Sequence, residues 1–381
     1  MTLHDVTPYV VHEGYVEDHR FDGLRSGEGS VAALTDDSLL LIYGKFEGPS
    51  DEDRATLLAR RSRDGGRTWS QPSVYLRSPP DSLNVMSVSL LRLRSGAVAA
   101  MHLHKHTKQD CRAWLSLSMD GGKTFPEPRC ITQRPIYHVV NNDRMIQLAD
   151  GRLLVPYHHY PQGPGRGYCG CVYSDDDGRT WQYSQTETYL TPENAARPAL
   201  SPASPPELVQ AVEQGDLHVR EPGVVELLDG RVMMWARSTG GYVYRCYSRD
   251  RGETWGPFEA FLDLPAPNGP QSVCRLPGSK RLVMLLNHRG SVPFGHHQFQ
   301  WRRPLSVAVS DDDAATWKLH GLLEPDTVPS NCYYSICSHG SNLVFTYYEG
   351  VMRTDEHGLY VPRNLASLKC KVVRRNYFEQ G

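Results

Sequence analysis

The chain lacks any long apolar run. No stretch of its 381 residues approaches the roughly 18–20 apolar residues needed to cross a bilayer. Its opening, MTLHDVTPYVVHEGY, has no basic start followed by an apolar core, so no secretory signal is expected. A charge bias is also missing. The 41 basic and 43 acidic residues leave a net charge of −2, which argues against a partner held by bulk charge, such as nucleic acid. The nine cysteines are odd in number and contain no Cys-x-x-Cys pair, so neither a disulfide framework nor a zinc ribbon is expected. Cys169 and Cys171 read instead as small hydrophobes in a strand. No carboxylate cluster has calcium-loop spacing, and neither a metal nor a cofactor is expected. These absences point to a soluble, cytoplasmic protein from a reducing compartment, or to a secreted one whose leader was trimmed.

What is present is a repeat. The phrase Ser-x-Asp-x-Gly-x-Thr-Trp/Phe occurs at Ser62–Trp69, Ser118–Phe125, Ser174–Trp181, Ser248–Trp255 and, with Ala314 in place of glycine, Ser310–Trp317. Successive copies start 56, 56, 74 and 62 residues apart, a period that marks a stacked or radial architecture. Serine and aspartate side chains can bond nearby backbone N–H groups and glycine supplies a positive φ, so each copy reads as a tight turn plugged by an aromatic ring. The alanine of the fifth copy predicts a distorted turn there.

Each copy follows a pair of apolar runs joined by a short polar turn. The pairs span 29–43, 87–103, 144–158, 222–236, 272–287 and 334–348, and turns such as Asp-Gly and Ser-Gly within them are hairpin signals. A third strand leads into each phrase and a fourth follows it. The reading is an all-β, six-bladed propeller in one domain, 1–381, with 365–373 finishing the last blade and the N-terminal strand 7–14 closing the ring. Residues 183–219, rich in proline, serine and alanine, read as an insertion between blades three and four. It carries one expected helix at Pro205–Glu213 and is either a surface loop or a lid.

The repeated phrase resembles the Asp-box of the sialidase superfamily, and that resemblance implies where a site would lie. Glu221 and Arg237, 16 residues apart at the ends of one hairpin, resemble the glutamate that activates the nucleophile and a substrate-binding arginine. Asn331–Ser335 looks like the family's Tyr-Ser entry strand, which makes Tyr334 the expected nucleophile and sends Tyr333 to the opposite face by alternation. A phenol is a poor nucleophile near neutral pH, so a carboxylate must accept its proton. Arg303, with Arg302 in reserve, matches an arginine ahead of the fifth copy. Asp51, with Asp53 next, matches an acid/base on a loop. The implied function is a retaining exo-glycosidase releasing a terminal acidic sugar, with a carbohydrate carboxylate as the recognised partner.

One motif departs from the family. The Arg-Ile-Pro that supplies the first of three carboxylate-binding arginines is absent, and Leu24–Ser30 stands in its region. Ser26 falls at the arginine's place. Arg25 could serve only through a one-residue shift, which turns it to the other face unless a bulge intervenes, and Glu28 is an alternative occupant of the funnel. A second pattern, His138 and His158 at one end of the blade-three hairpin, resembles the paired histidines of propeller polysaccharide lyases. It offers an alternative reading, proton abstraction from a uronic-acid glycan, in which the tyrosine position is held by Glu221. A non-catalytic glycan-binding propeller is the third reading. His102, His104 and His106 alternate on one strand and read as a polar funnel wall, with a metal site as the alternative.

Overall fold

The computed structural model describes residues 3–161, 167–191, 217–289, 302–354 and 360–380. The strands of these residues form six four-stranded antiparallel sheets, each built from strands consecutive in the chain except the last. Blade one runs Arg25–Ala33, Leu39–Phe46, Ala55–Ser62 and Ser73–Arg77. Its pattern recurs to blade six, which consists of Asn331–His339, Asn342–Thr354, Tyr360–Arg374 and, on its outer edge, the N-terminal strand Val10–Glu17. That strand pairs from Val10 opposite Val373 to Glu17 opposite Leu368, so the chain's first strand completes its last blade. It begins three residues later than the expected 7–14, because Thr7–Tyr9 forms a 3-10 turn around Pro8, which has no N–H to give a ladder.

The five repeated phrases are the turns after the third strands. In the first, Ser62 Oγ donates to Asp64 Oδ1 at 2.9 Å and accepts from Gly66 N at 2.8 Å, while Thr68 N donates to Asp64 Oδ1 at 2.9 Å. The glycine of each turn abuts the preceding blade: Gly66 faces Val344 and Val372, Gly122 faces Leu40, and Gly252 faces Leu154. The fifth turn is not distorted. Ala314 takes φ +69° yet donates to Ser310 Oγ at 2.9 Å, as the glycines do. The left-handed cost, about 1–2 kcal/mol, is offset by Arg245 Nη1 donating to Ala314 O at 2.8 Å and Arg275 pairing with Asp313 at 2.5 Å.

The three histidines of blade two are not a funnel wall. His102 is fully buried, with its ring edge-on to Tyr75 of blade one, and His104 and His106 pack on Trp114. The helix expected at 205–213 and most of the 183–219 insertion lie outside the described residues. No helix among the described residues is long and apolar enough to cross a membrane.

Candidate active site

The innermost strands carry one recurrent irregularity. In blades one, two, four and six an extra residue is inserted opposite the neighbouring strand, between Gly27 and Ser30, Met86 and Ser89, Arg220 and Gly223, and Cys332 and Ser335. Each insertion holds a non-glycine residue with positive φ: Glu28 at +51°, Ser87 at +54°, Glu221 at +48° and Tyr333 at +59°. A bulge re-aims the side chain at its centre and reverses the alternation beyond it. All four of these residues line one axial cavity of about 180 Å³, together with Asp51, Asn141, His158, Tyr160, Arg220 and Arg237. Backbone in this region is strained for a bulky residue, and such strain gathers at functional sites. A larger hollow of about 320 Å³ lies on the outer seam of blades one and two. Its Arg60 is committed to Glu17 and its Arg61 to the carbonyls of Gly121 and Gly122, so the axial cavity holds the reactive groups.

The bulge in blade six corrects the choice of tyrosine. Tyr334 is fully buried between blades five and six, where its hydroxyl donates to Asn331 O at 2.9 Å and Asn287 Oδ1 at 3.1 Å. Tyr333 is the one at the cavity, with the Arg302 guanidinium 5.5 Å from its ring centre. Burial, then the charge of Glu221, pushes its phenol well above the usual range, with Arg237 and Arg302 opposing.

Glu221 and Arg237 form an ion pair at 2.6 Å. Asn141 Nδ2 donates to the second oxygen of Glu221 at 3.3 Å, and the backbone N–H of Glu221 donates to His158 Nδ1 at 3.0 Å. His158 is thereby left with its proton on Nε2, 3.2 Å from the Tyr160 hydroxyl. Burial, followed by Arg220 and Arg237, holds this imidazole far below its ordinary pKa and therefore neutral. The other histidine does not join it. Val139, not His138, is bridged to His158, so His138 faces away into the blade. There it lies 3.1 Å from the Tyr183 hydroxyl, and the expected histidine pair is not formed.

Arg303 is also corrected. It reaches outward to Asp326, at 3.7 Å, whereas Arg302 is buried and donates to Asn268 O at 3.3 Å, beside Arg237 Nη1 on the same carbonyl at 3.1 Å. The chain is irregular before the strand at Leu305, so alternation gives no guide to which arginine turns inward.

Arg25 is not among the residues that line the cavity. Its side chain is fully buried and fully engaged: Nε donates to the Tyr348 hydroxyl at 2.9 Å, Nη1 to Asp51 at 2.5 Å and Nη2 to Glu28 at 2.7 Å, over the Phe46 ring. Asp51 stands at the rim with its side chain 62% exposed. What burial it has works against its charge, but Arg25 outweighs this and holds the carboxyl below its ordinary value. Its loop is tied down by Asn84 Nδ2 and Lys105 Nζ, which donate to Asp51 O at 2.6 and 3.1 Å. Asp53 instead caps its own turn through Ser50 N. Glu28 also accepts from Ser87 Oγ at 2.7 Å, and burial raises its pKa despite Arg25.

The run Asn141–Arg144 links the innermost strands. It crosses the axis. Asn142 Nδ2 donates to Gly29 O at 2.8 Å and Tyr333 O at 3.2 Å. Asp143, at φ +57°, accepts from Ser30 Oγ and Ile336 N, and Arg144 donates to Gln271 O at 2.6 Å. This plug fixes the bulges of blades one and six relative to each other. Four consecutive polar residues ahead of an apolar hairpin were its only sequence signal. Among the described residues no group of three histidine, cysteine or carboxylate side chains is arranged to hold a metal.

A six-bladed propeller with acidic, arginine and tyrosine side chains turned into one axial cavity defines the class. Residues 90–347 match the BNR repeat-like domain family, and the chain belongs to it, within the sialidase superfamily of propellers. The chain is 26% identical over 336 residues to a sialidase of Micromonospora viridifaciens, with 78% of this chain covered. It spans about half the length of that relative, 46%. Among solved structures it is similar to the Hadza microbial sialidase Hz136 (TM-score 0.70, 17% identity, 96% of this chain and 68% of that one). It is also similar to Trypanosoma rangeli sialidase in complex with sialic acid (TM-score 0.68, 15% identity, 95% and 58%). At these identities the structural likeness speaks to the fold alone.

Proposed function

We propose that the protein is a retaining exo-glycosidase of the sialidase type that removes a terminal acidic sugar, with Tyr333 as nucleophile. The observation that carries this reading is the pair of left-handed bulges that turn Tyr333 and Glu221 into the same cavity. Tyr333 Oη attacks the anomeric carbon as Glu221 takes the phenolic proton, a transfer made necessary by the raised pKa of that phenol. The bond to the leaving oxygen breaks, and that oxygen takes its proton from solvent at the rim, where Arg25 keeps Asp51 ionised. Water then attacks the glycosyl-tyrosine with Asp51 as base, and Tyr333 regains its proton, so the configuration is retained. Arg237 and Arg302, which share the Asn268 carbonyl, hold the sugar carboxylate.

The test compares Tyr333→Phe with Tyr334→Phe on methylumbelliferyl sialoside and methylumbelliferyl glucuronide. The first variant is expected to lose turnover by about 10³-fold or more. The second loses only its two internal hydrogen bonds, about 1 kcal/mol of stability, and keeps kcat within about threefold, under 1 kcal/mol of barrier. Full turnover by Tyr333→Phe sinks the mechanism.

A further inference from the structure

We propose that Glu28 is a specificity-determining residue that accepts a hydrogen bond from a sugar hydroxyl and repels a carboxylate presented to blade one. This rests on reading the cavity as a glycosidase site. The argument starts from the bulges. The same backbone device that aims Tyr333 and Glu221 inward aims Glu28 inward from blade one, where it sits on the cavity wall. The arginine of that blade is spent on the protein itself. Arg25 is fully buried, and its donors already meet Glu28, Asp51 and Tyr348. What blade one offers a ligand is therefore an acceptor.

Glu28 has capacity left for that role. A carboxylate has about four lone-pair sites, and the hydrogen bonds from Arg25 Nη2 and Ser87 Oγ, one on each oxygen, use two of them. Both oxygens are braced, one by blade one and the other by blade two, so the acceptor is held in a fixed orientation.

The ring of blades then gives the cavity two unlike walls. Blade one stands across the axis from blade four, and blade two across from blade five. Glu28 and Ser87 therefore oppose Arg220 and Arg237, the latter paired with Glu221 and backed by Arg302 near the Tyr333 ring, and Asp51 adds to the acidic side. A ligand that satisfies both walls carries its acid toward blades four and five and a hydroxyl toward blades one and two. The reacting carbon must lie at Tyr333, on blade six, next to blade one. Glu28 and Tyr333 line the same cavity from these neighbouring blades, so the carboxylate charge of Glu28 stands beside that carbon. A carboxylate carried on the reacting carbon meets that charge. One carried across the sugar ring does not. The class of substrate that fits is a hexuronide rather than a sugar with its acid on the anomeric carbon.

The experiment measures kcat/KM for methylumbelliferyl glucuronide and methylumbelliferyl sialoside with wild type, Glu28→Gln, Ser87→Ala and Tyr333→Phe. Wild type is expected to prefer the glucuronide. Glu28→Gln is expected to shift the ratio toward the sialoside by about tenfold or more, the size of one charge-assisted hydrogen bond, and Ser87→Ala to shift it the same way by less. Equal changes on both substrates, or a wild-type preference for the sialoside that Glu28→Gln leaves unaltered, overturn the proposal. Tyr333→Phe reports separately on the glycosidase reading: if it turns over normally, that reading fails whatever the ratio does. If wild type cleaves neither substrate, saturation-transfer binding of glucuronate and of N-acetylneuraminate supplies the ratio, and binding of neither overturns both.

Discussion

At the residue scale, the interior of blade two is held by an unusual choice. His102 is fully buried, and neither of its ring nitrogens has a hydrogen-bond partner among the described residues. Burial, with His104 adding to it, depresses its pKa to about 3, and burial and His106 depress that of His104 to about 4. The unfolded chain takes up a proton near pH 6.5 and the folded one does not. Stability is therefore intact above about 6.5 and is lost as pH falls, by about 1.4 kcal/mol per unit for His102 alone, until the folded state itself protonates near 3. Thermal melts between pH 7 and 5 should show this slope, and His102→Leu should flatten it. An unchanged slope contradicts the assignment.

At the element scale, the bulged inner strand is what turns a propeller into a site, and it is also what the sequence concealed. The resemblance put Tyr334 inward, and alternation then sent Tyr333 outward, a valid inference for a regular strand. The inserted residue reverses it, and nothing in Cys-Tyr-Tyr-Ser signals an insertion. Blade four was legible because Glu221 and Arg237 stand 16 residues apart at the ends of one hairpin, in a spacing that resembles the family's, and Gly223 leaves room for the Trp235 ring that a Cβ would meet at 2.1 Å. In blade one, Gly27 and Gly29 flank Glu28 for a like reason: a Cβ on Gly27 would lie 2.3 Å from the Tyr348 ring. Gly27→Ala should therefore push Tyr348 off Arg25, cost about 1–3 kcal/mol by overpacking and loosen Asp51. A lowered melting temperature together with a lowered kcat/KM is the expected pair of results. A variant unchanged in both contradicts the packing described for blade one.

At the scale of the whole molecule, the repeated turns and apolar hairpins made the architecture legible, because period and turn chemistry are local. The five Ser-x-Asp turns contribute nothing to the axial cavity, yet they set the register from which Glu221, Arg237, Arg303 and Tyr334 were chosen, and of these Glu221 and Arg237 line the cavity. The axial plug and the inward choice among neighbouring residues are products of closure, since they depend on contacts such as Asn142 to Gly29 that span 113 residues. The central claim is that closure brings Tyr333 of blade six and Glu221 of blade four onto one reacting carbon. Trapping the glycosyl-enzyme with fluorinated glucuronosyl and sialosyl fluorides and mapping the labelled peptide by mass spectrometry tests it most directly. The account predicts a single sugar on Tyr333, formed more slowly in Glu221→Gln. An adduct on Tyr334, Glu28 or Asp51, or steady turnover with no adduct, contradicts it.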